Sequence, residues 1–370
     1  MMESTDTADV RFETREAPRG RAVGMMHLAR PHRMNALTLA MCEAMLARLS
    51  EWASDESIAC VGIDGDGDRA FCAGGDVVAM VGAIRAGGPR RYALADRQFD
   101  AEYRLVQAIA EFPKPVVAWV HGITMGAGVG LAVAASHRVV TPSVRMAMPE
   151  SRIGLFPDVG ATHFLGRVVA NAGPLIATAG IELGANDALL CGLADDLLPD
   201  EAKSAMHDAI DAALTGSAVG GLDGAIAARL SAVTPDVRGV APPGEIAGRI
   251  DALQRVGRAR DVAALRAAIV REAGTDAWFA SALASFDAGS PTSIHVGFEH
   301  FRRSRGRSLR ETLAVDRTLA RAFVRGHDFP EGVRAALIDK DRRPNWQPQR
   351  LDEVTQSEVA AHFAGVAPAA

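Results

Sequence analysis

The hydrophobic pattern starts with two short alternating runs, Val10 to Thr14 and Ala22 to Leu28, separated by a Pro-Arg-Gly turn. Both read as strands. Thr38 then reads as an N-cap, and Leu39, Cys42, Leu46 and Leu49 recur behind it at helical spacing. Cys60 to Ile63 and Val116 to Val120 are short apolar runs with β-branched character, the mark of buried strands. Between them, Gly87-Gly88-Pro89 breaks one helical stretch from the next. Arg90 to Glu111 carries Tyr103, Val106, Ile109 and Ala110 on one face, and Phe112-Pro113-Lys114-Pro115 ends it. Ala161 to Val169, Pro174 to Gly180 and Asn186 to Leu190 read as short helices, and Ala194 to Leu198 as a last strand. From about Asp200 the character changes. Alanine-rich helical patterns run to Ala288, broken at Gly216 to Gly221 and at Ala241-Pro-Pro-Gly244, and Ser290-Pro-Thr-Ser293 starts a further helix pair. The pattern predicts an α/β core over residues 8–200, which would hold the site, and a mainly helical region over 201–370.

The chemistry concentrates between Val116 and Gly160. After the apolar run comes Gly126-Ala127-Gly128-Val129-Gly130, leading into a helix at Leu131 to Ala135. Such a turn frees backbone N–H groups at a helix start, where they can hold developing negative charge. Two carboxylates follow on loop-like sequence, Glu150 after Pro149 and Asp158 after Pro157. Amides aimed at an oxyanion, with two carboxylates nearby, would serve acyl transfer or enolate chemistry. Each part also has a plainer reading. The glycines would allow tight packing, Glu150 would be an exposed loop acid, and Asp158 would cap the helix behind it, worth about 1 kcal/mol. Upstream, Asp64, Asp66 and Asp68 alternate, but Arg69 and Gly75 stand where a calcium loop needs glycine and glutamate.

Composition narrows the function classes. A formal net charge of −5 argues against general polyanion binding. The four cysteines, Cys42, Cys60, Cys72 and Cys191, include no CxxC pair, so neither zinc nor a redox dithiol is suggested and reduced thiols are expected. The N-terminal stretch MMESTDTADVRFETRE has early acids and no apolar core, and the chain has no run of about 18 apolar residues, so no signal or membrane span is expected. A cytoplasmic protein follows as the expectation, with no metal and no nucleic-acid partner.

The segments His121-Gly-Ile-Thr-Met-Gly126, Ala147-Met-Pro-Glu150 and Gly154-Leu-Phe-Pro-Asp158-Val-Gly160 resemble the crotonase (enoyl-CoA hydratase/isomerase) superfamily. More closely, they are similar to its 3-hydroxyisobutyryl-CoA hydrolase branch. Arg325 to Arg334, Ala335 to Asp341 and Pro344-Asn-Trp346 resemble that branch too. The resemblance implies a spiral of strand-strand-helix repeats with a helical C-terminal region, an acyl-CoA thioester as substrate and no separate cofactor. It also implies an oxyanion hole made by the N–H groups of Ala73, in Ala73-Gly74-Gly75-Asp76, and Ala127, after Gly126. Hydratases of the superfamily use two glutamates; one matches Glu150, but Gly130 stands at the other. Without that acid, adding water across a double bond lacks half its acid–base pair. The hydrolase branch instead places an aspartate eight residues after the retained glutamate, where Asp158 stands. It also places a glutamate beside the substrate at Glu102, a position that read alone suggests a surface acid. The resemblance therefore implies hydrolysis of a short 3-hydroxyacyl-CoA, 3-hydroxyisobutyryl-CoA of valine catabolism first, with a hydratase or isomerase as the rival. The acyl group and the oligomeric state stay open.

Overall fold

A computed structural model describes residues 9–215, 221–234 and 241–366. These divide into two compact units, each built from separate stretches of chain. The first draws on the chain up to Gly75, on Arg104–Met146 and on Leu183–Gly244; the second on Asp76–Tyr103, Ala147–Glu182 and Glu245 onward.

The first unit holds the strands β1 (Val10–Ala17), β2 (Arg21–Leu28), β3 (Ile58–Gly65), β4 (Ala70–Cys72), β5 (Val116–Val120), β6 (Ile123–Met125), β7 (His137–Val140), β8 (Arg145–Ala147, its last residue passing to the second unit) and β9 (Asp196–Leu197). They form a six-stranded sheet in the order β1-β2-β3-β5-β7-β9 and a three-stranded sheet β4-β6-β8. Each of the pairs β3–β4, β5–β6 and β7–β8 gives its first strand to the large sheet and its second to the small one. That is the expected strand-strand-helix spiral. β3, β5 and β7 are paired in parallel, which explains their near-continuous apolar runs. The helices Lys203–Thr215 and Gly221–Val233 lay Met206, Ile210, Leu214, Ile226 and Leu230 onto Val23, Met25, Val117, Trp119 and Val139 of that sheet. Each such fully buried side chain contributes about 1.5–3 kcal/mol.

The second unit is mainly helical. Its Leu309–Arg325 helix opens with a capping box between Ser308 and Glu311. Its inward stripe runs Leu313, Asp316, Leu319 and Phe323. Phe156 packs on Phe323 with ring centres 5.3 Å apart, and Phe99 packs on Tyr103 at 5.9 Å and on Phe329 at 6.1 Å, making an apolar, aromatic interior.

Several local expectations shift. Thr38 caps the Leu39–Ser54 helix by accepting from the Met41 N–H, but the buried face is Met41, Cys42, Met45, Leu49 and Trp52, so the stripe is rotated from the one expected. The helix after the glycine turn starts at Ala127, not Leu131. Ala161 to Val169 is not one helix: the α-helix ends at Phe164 and short 3-10 turns follow, because Gly166 and the left-handed Ala170 (φ 59°) break the run. The expected break at Gly216 to Gly221 lies outside the described residues except for Gly221, and residues 1–8 and 367–370 lie outside them too. All four cysteines are buried and free. Among the described residues, no helix is long and apolar enough to cross a membrane.

Candidate active site

In the first unit the site is made of backbone. The loop after β4 runs beside the start of the Ala127–Ala134 helix. Gly128 lets them approach: a Cβ there would lie 2.1 Å from the Cys72 carbonyl oxygen. A Cβ built at Gly74 would stand 3.8 Å from the Ala127 nitrogen, so the loop and the helix start are neighbours. Ala127 opens the helix, is not among the residues with positive φ, and its N–H is one of the donors a helix leaves unpaired. Alanine at this position therefore keeps the donor.

Ala73 does not offer the other donor. Its N–H is given to the Met34 carbonyl at 2.9 Å. Leu37 pairs with Gly75 in a parallel bridge, and the Leu37 N–H goes to the Gly74 carbonyl at 2.8 Å. In such a ladder the paired residue turns its own N–H to the opposite side. The free donor of this loop is therefore the Gly75 N–H, two residues beyond Ala73. The motif located the loop, but backbone direction, set by pairing with Leu37, is not legible from residue types.

The acidic tract beside this loop is structural. Asp64 is fully buried, accepts from the His27 ring at 2.7 Å and meets Lys203 at 2.5 Å, while Arg11 meets Asp66 at 2.8 Å. His27, Asp64 and Asp66 do offer three ligand atoms close together, but an ion there would have to compete with Lys203 and Arg11 for the two carboxylates.

In the second unit the site is made of buried acids. Glu150 begins a short 3-10 turn, Glu150–Ile153, and is 5% exposed. Its Oε2 has no hydrogen-bond partner among the described residues. Asp158 is 3% exposed and accepts the Tyr103 hydroxyl on Oδ2 at 2.7 Å. It does not cap the following helix, whose N-cap is Gly160 with no side-chain cap. Glu102, far from being a surface acid, is 2% exposed and accepts from the Gln98 amide at 2.6 Å.

Burial sets the charge states. It pushes Glu150 well above the usual carboxylate range, and the Asp158 charge pushes it further. Asp158 is raised by burial as well, with the Tyr103 hydrogen bond pulling the other way. Glu102 is pushed up to about 8, by burial first and then by the charges of Asp158 and Asp76, with the Gln98 hydrogen bond opposing. Carboxylates that feel one another's charge in a buried setting do not ionise independently. This unit therefore offers an electrostatically coupled pair of buried carboxylates, Glu150 and Asp158, with Glu102 coupled to Asp158.

Two further residues hold the Asp158 turn. Val159 has φ 50° and Gly160 φ 82°, and a β-branched residue in the left-handed region carries about 1–3 kcal/mol of strain. The Gly160 N–H donates to Asp316 at 2.8 Å, which fixes the turn from the Leu309–Arg325 helix. Asp316 is fully buried, raised mainly by burial, and lies 3.5 Å from His300, which burial lowers to about 3 and keeps neutral. Sequence reading named neither Asp316 nor the hydrogen bond from Tyr103. The available signal was a charged residue on an apolar stripe: Asp316 sits at helical spacing with Leu313, Leu319 and Phe323.

With this geometry in hand, the likeness to known proteins is extensive. The family model described as enoyl-CoA hydratase/isomerase matches residues 23–363. A relative named mitochondrial 3-hydroxyisobutyryl-CoA hydrolase, from Xenopus laevis, is 34% identical over 92% of this chain and 86% of its own length. The crystal structure titled a carnitinyl-CoA dehydratase from Mycobacterium thermoresistibile has a TM-score of 0.83 and 33% identity, covering 98% of both chains. One titled an enoyl-CoA hydratase from Rhodobacter sphaeroides has a TM-score of 0.82 and 34% identity, covering 95% of this chain and 97% of its own. The protein belongs to the enoyl-CoA hydratase/isomerase family, with the crotonase fold.

Proposed function

We propose that this protein is an acyl-CoA thioester hydrolase acting on a short 3-hydroxyacyl-CoA, with 3-hydroxyisobutyryl-CoA of valine catabolism as the first candidate. The observation that carries the reading is the buried pair Glu150 and Asp158, combined with glycine at position 130. The names of the sequence relatives support it. The two solved neighbours carry hydratase and dehydratase titles, but Gly130 offers no side chain to protonate a carbon or activate water across a double bond.

In this reading the thioester carbonyl oxygen accepts from the N–H groups of Ala127 and Gly75, and each such donor is worth about 3–4 kcal/mol in the transition state. Gly74 and Gly126 shape the two backbone turns, and Glu102 lies beside the acyl group. Glu150 takes the proton of the attacking water while Asp158, held by Tyr103, keeps Glu150 oriented and shares its proton. Collapse of the tetrahedral intermediate breaks the C–S bond, and the proton returns from Glu150 to the CoA thiolate. The products are the free acid and CoA. The competing route has Glu150 attack the carbonyl itself, giving a mixed anhydride that water then opens. A single turnover in ¹⁸O-water that leaves the label in Glu150 marks the anhydride route, with water opening the anhydride at the Glu150 carbonyl. Neither route uses a metal or cofactor.

The test is a panel of short acyl-CoA thioesters with free-thiol detection. Release of CoA from 3-hydroxy thioesters, unchanged by EDTA, is expected. Rapid hydration of crotonyl-CoA with no thiol release from any 3-hydroxy thioester overturns the reading.

A further inference from the structure

The second unit contains a cavity of about 950 Å³ whose chemistry the hydrolase reading does not use. It is lined by the stretch 162–174, by the turn after the Ile250–Val256 helix, and by the end of the Pro291–Arg303 helix with the turn behind it. Six arginines face it, Arg167, Arg258, Arg260, Arg302, Arg305 and Arg307, and no carboxylate does. In a chain of net charge −5 that is a strong local excess of one sign.

The excess is informative because it converges on one cavity with no acid in its lining. Elsewhere several arginines are held by acids, among them Arg249 by Asp276, Arg255 by Glu272, Arg266 by Asp287 and Arg334 by Glu331, and others point singly to solvent. In the cavity, Arg302 is held by Glu299 at 2.6 and 2.7 Å. The side chains of Arg167, Arg258, Arg260 and Arg305, by contrast, have no hydrogen-bond or ion-pair partner among the described residues. The turn that carries Arg305 is anchored: His163 bonds the Arg307 carbonyl at 3.1 Å, and burial keeps the His163 ring on the neutral side. Guanidinium groups on separate walls match an anion with several charged oxygens better than a single carboxylate. The volume suits a ligand of nucleotide size. Half-buried Phe298 adds a ring on which a planar base can stack.

We propose that this cavity binds a nucleotide through its phosphates, with the base against Phe298. Two sources share that chemistry, the phosphorylated adenosine end of a CoA molecule and a free nucleoside polyphosphate. Calorimetric titration of the full chain with ATP and with 3′-phosphoadenosine 5′-phosphate at low salt tests it. The wild type is expected to bind at least one of them saturably, more weakly as salt rises. The variant Arg258→Ala/Arg260→Ala/Arg305→Ala, with an unchanged melting temperature, is expected to lose at least about tenfold in affinity, because charge-assisted hydrogen bonds are removed. Arg→Lys at the same positions is expected to restore part of it. No saturable binding by the wild type, or equal binding by the alanine variant, overturns the proposal. Repeating the titration with CoA present identifies the source: displacement assigns the cavity to the CoA end, and unchanged affinity assigns it to a free nucleotide. Binding is read without turnover, so this test and the hydrolase test fail separately.

Discussion

The two units carry opposite kinds of site chemistry. In the first, the candidate groups are main-chain N–H donors at Ala127 and Gly75, neutral and set by how the loop after β4 meets a helix start. In the second, they are side-chain carboxylates whose proton affinity is set first by burial. Backbone donors tolerate side-chain change as long as the backbone stays put. Carboxylates tolerate no change of functional group but can be retuned by any neighbour that alters their solvation. The two halves of the proposed chemistry should therefore break in different ways.

The largest effect is expected on the carboxylate side. Glu150→Gln keeps shape and hydrogen bonding but removes basicity, so kcat should fall by about 10²–10⁴. KM should move little, because the CoA arm carries most of the binding. A variant within threefold of wild-type kcat would remove Glu150 from the chemistry. The next largest effect is on the backbone side. Gly75→Pro deletes one N–H and should lower kcat by about 10²–10³ with a smaller change in KM. Comparing it with Gly75→Ala, which keeps the donor, separates the loss of a hydrogen bond from a disturbed loop. Equal activity of the two variants would return the donor to another residue.

The contrast also explains what was legible in the sequence. Contiguous words such as Gly154 to Gly160 marked the spiral, Glu150 and Asp158, because side-chain identity is what a sequence records. The donor loop was located but its donor was displaced by two residues, since N–H direction depends on the pairing of Leu37 with Gly75. Asp316 was missed because its role, holding the Gly160 N–H, joins positions 156 residues apart. The cavity arginines lie on three separated stretches, so no local charge run announced them.

A smaller effect sharpens the carboxylate side. The Tyr103 hydroxyl lowers the proton affinity of Asp158, so Tyr103→Phe should raise it further. If activity needs the ionised aspartate, the acid limb of the kcat profile moves to higher pH. The loss, about tenfold to a hundredfold for one hydrogen bond to a charged group, then shrinks as pH rises. A purely structural role for Tyr103 would lower kcat equally at every pH.

The smallest effect concerns stability, and its sign follows from burial. Glu102 has a folded-state pKa of about 8 against an ordinary 4.5. Between those values the folded protein binds a proton that the unfolded chain has released. Stability is therefore full below the unfolded value and falls as pH rises through this window. Glu102→Gln removes a titrating group but keeps an acceptor for the Gln98 amide. Its melting temperature should match wild type near pH 4, where the side chain is neutral in both folded and unfolded states, and exceed it near pH 9, where the wild type must bury a charge. Glu150, Asp158 and Asp316 remain in both proteins, so the variant keeps part of the slope and only the difference between the two curves reports on Glu102. Parallel curves across that range would mean that Glu102 stays solvated, and would detach it from the proposed carboxylate site.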